Sequence, residues 1–276
     1  MNKDNVALRF LYGTLPGRCI LRILISRPLS SLSGRLLDSR ASSALIPFFI
    51  RSYHISVKDL KIPKEGFPSF NSFFCREKLG RGCNTPSDKC VLSPCDAFLS
   101  VLPVTRDTCM DIKHTSFTLE ELLKNSDIAK EFSEGTALIF RLCPQHYHRY
   151  SYAVNGKIER NVRLKGVFHC VRPIATEKYP VFAQNARQYQ VINTECFGRI
   201  VQMEVGALLI GRITNRKVPD RIAVQGREKG YFEYGGSTII LLFQKGKCIL
   251  RPELEKELRD GREFPVTEGM ILSELS

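Results

Sequence analysis

An α+β fold, helices first and a β-rich core after them, is what the apolar patterning of the chain predicts. Through residues 1–55 the apolar runs are short and carry Arg, as in Cys19-Ile20-Leu21-Arg22-Ile23-Leu24-Ile25, which suits amphipathic helices. From 155 to 248 short apolar runs alternate with Gly and Asn and show no long helical period, which suits strands. With 276 residues, 43% of them hydrophobic, the chain can bury one large core or two modest ones, and its composition is that of a globular protein. Lys and Pro punctuation after residue 55 puts the boundary near 60, giving a basic helical region 1–60 and a β-rich region 61–276.

The formal charge of +13 narrows the partners. A basic surface serves solubility, nucleic acid or an anionic membrane. No zinc finger and no Lys/Arg block interleaved with aromatics is present, so a nucleic-acid role is set aside and the membrane preferred. Every apolar run in 1–55 is cut by Arg, Pro or Ser well short of the roughly 18 residues that a membrane span needs. Helices lying at a lipid surface fit this pattern, and so does a helical layer packed on the rest of the protein. An Arg-rich, acid-poor start also mimics an organelle transit peptide, but Leu11-Tyr12-Gly13-Thr14 and residues 36–40 have the look of a mature N-terminal region, so the segment is kept. The ten cysteines contain no CxxC pair and follow no secretory segment; they are expected to be small buried apolar residues in a reducing compartment, with no metal site.

In chain order, Phe67-Pro68-Ser69-Phe70-Asn71-Ser72-Phe73-Phe74-Cys75-Arg76 is an aromatic cluster expected in a core. Asp96, in Ser93-Pro94-Cys95-Asp96, has the usual setting of a turn-forming side chain. Thr118 with Glu121 three residues later predicts a capping-box start to a short helix. An apolar strand, residues 137–143, ends at Pro144 and leads into His146-Tyr147-His148-Arg149. Asn155-Gly156 is a hairpin signal. Residues 200–211 are expected to form two strands turning near Gly206. Residues 251–276 carry no pattern that suggests chemistry.

The organising stretch is residues 230–243, Gly-Tyr-Phe-Glu-Tyr-Gly-Gly-Ser-Thr-Ile-Ile-Leu-Leu-Phe. Two apolar runs flank Gly235-Gly236, which by itself is a hairpin turn. The alternative is chemical: Gly236 leaves its carbonyl open to approach, and Ser237 carries a hydroxyl able to attack it.

With the preceding Glu228-Lys229-Gly230-Tyr231-Phe232-Glu233-Tyr234, this stretch resembles the C-terminal signature of the phosphatidylserine decarboxylase proenzymes. Ser-Pro-x-Asp at Asp96, Tyr-His-Arg at His148, and the Phe-x-x-Phe-Phe-x-Arg segment ending at Arg76 resemble further blocks of that family, over about residues 10–243. The resemblance implies N-terminal membrane-associating helices followed by a β-rich catalytic core, and autocatalytic scission of the Gly236-Ser237 bond into chains 1–236 and 237–276. Ser237 would become a covalent pyruvoyl (pyruvate) cofactor that forms a Schiff base with the substrate. The implied reaction is decarboxylation of phosphatidylserine to phosphatidylethanolamine and carbon dioxide. Partners would be phosphatidylserine, an anionic membrane surface, and the two cleavage chains as a heterodimer or a higher oligomer of it, at the cytoplasmic face of the cell membrane.

Carried over, Asp96 orients a histidine, His148 is the provisional base and Ser237 the nucleophile. Two positions depart from the pattern: His146 stands where many members have Asp, and Ser151 where they have a second His, the usual base. That leaves His146 and His169 in reserve. Arg187, in another family-like block, either faces the substrate's phosphate or carboxylate or is solvated. Three other readings stay open: an uncleaved, inactive lipid-binding homologue, a decarboxylase of a soluble amino acid, and a purely structural β protein.

Overall fold

A computed structural model describes every residue except 1–5, 81–86, 108, 113–114, 172, 209–211, 235–236, 259–260 and 276. Residues 6–53 fold into short helices because the chain punctuates itself. Helices α1 (Val6–Gly13), α2 (Leu15–Leu24), α3 (Arg27–Asp38) and α4 (Ile46–Tyr53) follow one another, and Pro16, Pro28 and Pro47 sit in the first turns of the last three. Thr14 caps α2 by accepting a 3.1 Å hydrogen bond from the Gly17 amide. Gly17 is required there, since a Cβ would lie 2.0 Å from the Phe10 carbonyl oxygen. Among the described residues no helix is long and apolar enough to cross a membrane.

The aromatic cluster forms α5 (Phe70–Phe74), opened by a reciprocal Ser69/Ser72 cap. Its rings pack with Phe49 of α4 and with Tyr234 into a small core of their own. The predicted capping box is seen at Thr118 and Glu121, which start α6 (Leu119–Leu123).

The strands are β1 (Cys90–Leu92), β2 (Ala97–Pro103), β3 (Cys109–Ile112), β4 (Thr115–Thr118), β5 (Thr136–Leu142), β6 (Arg149–Ser151), β7 (Gly156–Leu164) and β8 (Arg187–Asn193). Then come β9 (Arg199–Gly206), β10 (Ile213–Asn215), β11 (Ile222–Ala223), β12 (Glu228–Phe232), β13 (Ser237–Phe243), β14 (Phe264–Val266) and β15 (Ile271–Glu274). Eight of them form one antiparallel sheet in the order β11-β7-β8-β9-β13-β5-β2-β14, so the fold is α+β with a β-rich core. A second sheet, β10-β12-β6, and the pair β1-β15 pack on one face. Residues of α1, α2, α6 and β4 are packed on the other.

Two expected hairpins are absent for a common reason. The Gly-Gly pair joins β12 to β13, but these strands lie in different sheets, so the chain crosses between layers there. Asn155-Gly156 likewise joins β6 to β7, which are not paired, and neither residue has the positive φ of a tight two-residue turn. Gly156 instead permits close approach, since a Cβ would lie 2.5 Å from the Asn193 carbonyl oxygen. The expected pair of strands over 200–211 is one strand, β9, ending at Gly206; residues 209–211 lie outside the described part. The cysteines also differ from expectation. Cys90 and Cys95 are buried, Cys19 is exposed, and most others are half-buried.

The two sheets meet through a polar stripe. Strand β9 alternates Val201, Met203 and Val205 on one face with Ile200, Gln202 and Glu204 on the other, all buried. Gln202 bridges the Ser151 carbonyl and the Ala153 amide at 2.9 and 3.2 Å. Glu204 receives Lys229 Nζ of β12 at 2.7 and 2.6 Å, with both side chains wholly buried. Burial raises the Glu204 carboxyl and lowers the Lys229 ammonium, each opposed by the partner's charge. This bond anchors β12 seven residues before Gly236. Lys229→Met leaves a buried carboxylate unpaired and should cost about 3–5 kcal/mol in urea unfolding. Adding Glu204→Gln should recover most of that loss; no recovery would mean the pair does not act as a unit.

Candidate active site

The strand register collects the site at one end of the large sheet. Ser237, the first residue of β13, stands opposite Leu142 of β5 and Gly206 of β9. Strand β5 ends at Leu142 and runs into the loop bearing His146 and His148, while neighbouring β2 starts directly after Asp96. Asp96, both histidines and Ser237 therefore share one edge. The predicted scission residue Gly236, with Gly235 and the Ser237 side chain, lies outside the described part.

The chain entering Gly235 is held on both sides. Phe232 N donates to the His148 carbonyl at 2.9 Å, Glu233 N to the Arg212 carbonyl at 3.1 Å, and Tyr234 N to Asn71 Oδ1 at 3.2 Å. Asn71, on α5, also donates to Asp38 at 2.8 Å and to Glu233 at 3.1 Å. Glu233 closes this network through Arg212 at 3.1 Å. The sequence carried no signal for Asn71 beyond its place inside the aromatic cluster, nor for the Glu204–Lys229 bond.

His148 is fully buried, and neither ring nitrogen has a hydrogen-bond partner of ordinary geometry among the described residues, although the His146 backbone acts on the ring. Its ring lies against Phe74, with centroids 3.9 Å apart. Desolvation drives its pKa well below the ordinary value, and the charges of Arg76 and His146 push the same way. Burial thus favours the neutral imidazole, opposed only weakly by the His146 backbone. Arg76 holds its place by donating to the carbonyls of Phe73, Phe74 and His146 at 3.3 to 3.5 Å. Arg149 fixes the other side, donating to the Cys75 carbonyl at 2.8 Å and Glu228 at 3.0 Å.

Asp96 makes no hydrogen bond to His148, although the motif leads one to expect it. Its carboxylate accepts from Lys78 Nζ at 2.5 Å and from the Glu268 amide at 2.9 Å. The histidine that feels its charge is His146, which burial lowers and Asp96 partly restores. His146 is occupied as well: its Nδ1 accepts from the Cys143 amide at 3.0 Å. Ser151 is buried against the Ser-Pro-x-Asp segment, its Oγ donating to the Pro94 carbonyl at 3.3 Å.

His169 sits apart from these groups. Tyr12 OH meets its Nδ1 at 3.3 Å, Tyr179 stacks on it at 4.8 Å, and burial lowers its pKa to about 4. Asn185 links it to the site edge, its Nδ2 donating to the carbonyls of His169 and Gly206, each at 2.8 Å. Arg187 is neither solvated nor free for a substrate. It is buried, and its guanidinium donates to the carbonyls of Glu121, Leu122 and Asn185 at 2.7 to 2.8 Å.

A family model described as phosphatidylserine decarboxylase matches residues 70–264. Phosphatidylserine decarboxylase proenzyme 2 of Clostridium acetobutylicum is 35% identical over 272 residues, covering 98% of this chain and 92% of that protein. The proenzyme of Clostridium novyi is 35% identical over 266 residues, covering 95% and 90%. That of Ruminiclostridium cellulolyticum is 36% identical over 267 residues, covering 95% and 89%.

The depressed histidines set a pH dependence of stability. His169 stays neutral in the fold down to about pH 4, whereas the unfolded chain takes up its proton near the ordinary 6.5. Stability therefore falls as pH drops through that window, at up to about 1.4 kcal/mol per unit, and is level below it. His148 adds to the same slope. Between pH 7 and 5, His169→Gln should lose less stability in urea unfolding than the parent; equal losses would contradict a neutral buried imidazole.

Proposed function

The chain belongs to the phosphatidylserine decarboxylase proenzyme family, and from that premise we propose a specific assignment of its self-processing and lipid chemistry. It is a carboxy-lyase proenzyme, acting on phosphatidylserine to yield phosphatidylethanolamine and carbon dioxide. Processing begins at the Gly236-Ser237 bond: the Ser237 oxygen attacks the Gly236 carbonyl carbon, the peptide C–N bond breaks, and an ester links the two residues. Loss of the Ser237 α proton and release of the Gly236 carboxylate then separate the chains, and hydrolysis with release of ammonia leaves pyruvoyl at residue 237.

The chain fits this group in two respects. The required serine opens a strand held on both sides, and the segment before it is pinned by Asn71, Arg212 and the His148 carbonyl. Pyruvoyl supplies the electron sink that amino-acid decarboxylation needs and that standard side chains lack.

His148 is the proposed proton acceptor, and the observation that carries this is its buried ring, held toward the neutral form, with neither nitrogen in a hydrogen bond of ordinary geometry among the described residues. The same ring is suited to return a proton to the decarboxylated carbon. Asp96 is the proposed orienting acid, acting through the loop 146–148 rather than by direct contact, since its charge reaches His146.

After scission the two chains should stay together as a heterodimer. The fragment 237–276 contains β13 between β5 and β9, β14 on β2, and β15 on β1. A peripheral position at the anionic cytoplasmic leaflet is supported by the charge of +13 and by apolar side chains exposed on the first helices, with Leu15 and Phe48 each 73% exposed.

Denaturing gels with intact-mass measurement test the assignment. The native chain should yield two fragments, the smaller beginning with a blocked residue 237, and Ser237→Ala should remain whole. His148→Ala should process about 10² to 10⁴ times more slowly; processing at the native rate would transfer the role of base elsewhere. Because its pKa lies well below 6.5, the rate should hold steady as pH falls from 8 through 6.5 and decline only at lower pH. A midpoint at or above 6.5 would point to a solvated base.

A further inference from the structure

We propose that a cationic groove outside the processing site binds the headgroup of an anionic phospholipid and sets the protein's orientation on the bilayer. The proposal rests on the reading of this chain as a peripheral membrane protein and names where the contact is made. The groove, a cavity of about 650 Å³, lies between β7, β8 and the segment from β10 to Arg221. Six cations line it, Arg160, Arg163, Arg212, Arg216, Lys217 and Arg221. Its one lining carboxylate, Glu159, is turned toward Arg199 at 2.9 Å.

Two of the six cations are neutralised, Arg212 by Glu233 at 3.1 Å and Arg216 by Glu228 at 2.8 Å. Arg160, Arg163, Lys217 and Arg221 are exposed and form no ion pair among the described residues. Asp220, next to Arg221 in the chain but not among the lining residues, accepts from the Ile222 amide at 3.4 Å. Four like charges around one concavity repel one another, and an anion seated among them removes that cost. The floor carries Gln190, which is 3% exposed and whose Oε1 has no hydrogen-bond partner of ordinary geometry among the described residues, although the Tyr152 hydroxyl lies near its side chain. It can accept from a hydroxyl or ammonium, so the occupant that uses the whole groove pairs a phosphate with a donor, as glycerol- and serine-bearing headgroups do.

The neighbourhood favours a bilayer over a free solute or a nucleic acid. A smaller cavity of about 180 Å³ shares Arg163, Gln188, Arg212 and Ile213 with the groove and ends on Ser30 and Ser31 of α3. The next residues on that helix, Leu32 and Leu36, are 53% and 62% exposed. Cations beside an unpartnered apolar helix surface suit headgroups and acyl chains at one interface. No aromatic side chain lines the larger groove, so bases would have no stacking platform there.

Two variants of equal charge test the location. One carries Arg160→Gln, Arg163→Gln, Lys217→Gln and Arg221→Gln; the other carries Lys245→Gln, Lys247→Gln, Arg251→Gln and Lys256→Gln, away from the groove. Co-sedimentation is measured with phosphatidylcholine vesicles containing or lacking 30% phosphatidylglycerol. The groove variant should bind the anionic vesicles about tenfold or more weakly than the parent, and the control variant no more than about threefold. Equal losses, or no loss in the groove variant, would overturn the proposal, as would a short single-stranded oligonucleotide displacing the parent from vesicles through the same residues. Processing at residue 237 is followed in the same samples. Native processing in the groove variant shows an intact fold, and failure of the parent to process would count against the decarboxylase reading while leaving the vesicle result standing.

Discussion

Strand β13 has no free edge, and the rest of the molecule depends on that. Each of its seven residues is paired on both sides, with β5 and with β9. Ile239 through Phe243 are wholly buried on both faces, at roughly 1.5–3 kcal/mol per side chain. A chain cut before Ser237 loses one covalent bond and none of this burial. The same pairing aligns the ends of β5 and β9 with Ser237, so the reacting edge is a consequence of register rather than of any local loop preference.

The layers on either side of that strand are joined by groups that are costly to bury. A continuous apolar face on β9 would have sufficed for packing, yet Gln202 and Glu204 interrupt it. Each is satisfied by the second sheet, Gln202 by the backbone around β6 and Glu204 by Lys229 of β12. Such bonds contribute little net stability. What they do is direct: one arrangement of β12 over β9 satisfies them, and that arrangement delivers residues 233–234 to Asn71 and Arg212. The position of the segment leading to Gly235 is thus set by polar groups outside it.

How much of this could be read beforehand depends on whether the signal was local. The capping box at Thr118, the short helices before residue 55, and the all-apolar run after Thr238 follow from propensity and periodicity, and these elements formed as expected. The Gly-Gly and Asn-Gly pairs misled because turn chemistry reports that the chain bends, not which layer it enters next. Arg187 was ambiguous for a similar reason. An arginine's function is decided by what faces it, and here three backbone carbonyls do. Asp96, His148 and Ser237 were reached through motifs, and the register brings them to one edge; the pairing of Asp96 with Lys78 had no local signature. Asn71 was hidden because its value lies in a partner 163 residues away.

The neutral state of His148 is itself a packing effect. Its desolvation comes from Phe74, whose ring belongs to the cluster that Phe49 of α4, Phe70 and Tyr234 share. One aromatic core therefore touches the helical layer, the imidazole and the residue that precedes Gly235. A shift of α4 against that core would expose the histidine to water and relax Tyr234 together, raising the imidazole toward its ordinary pKa and loosening the segment to be cut. In this architecture α4 cannot move independently of His148, because Phe49 packs on Phe74 and Phe74 on the imidazole.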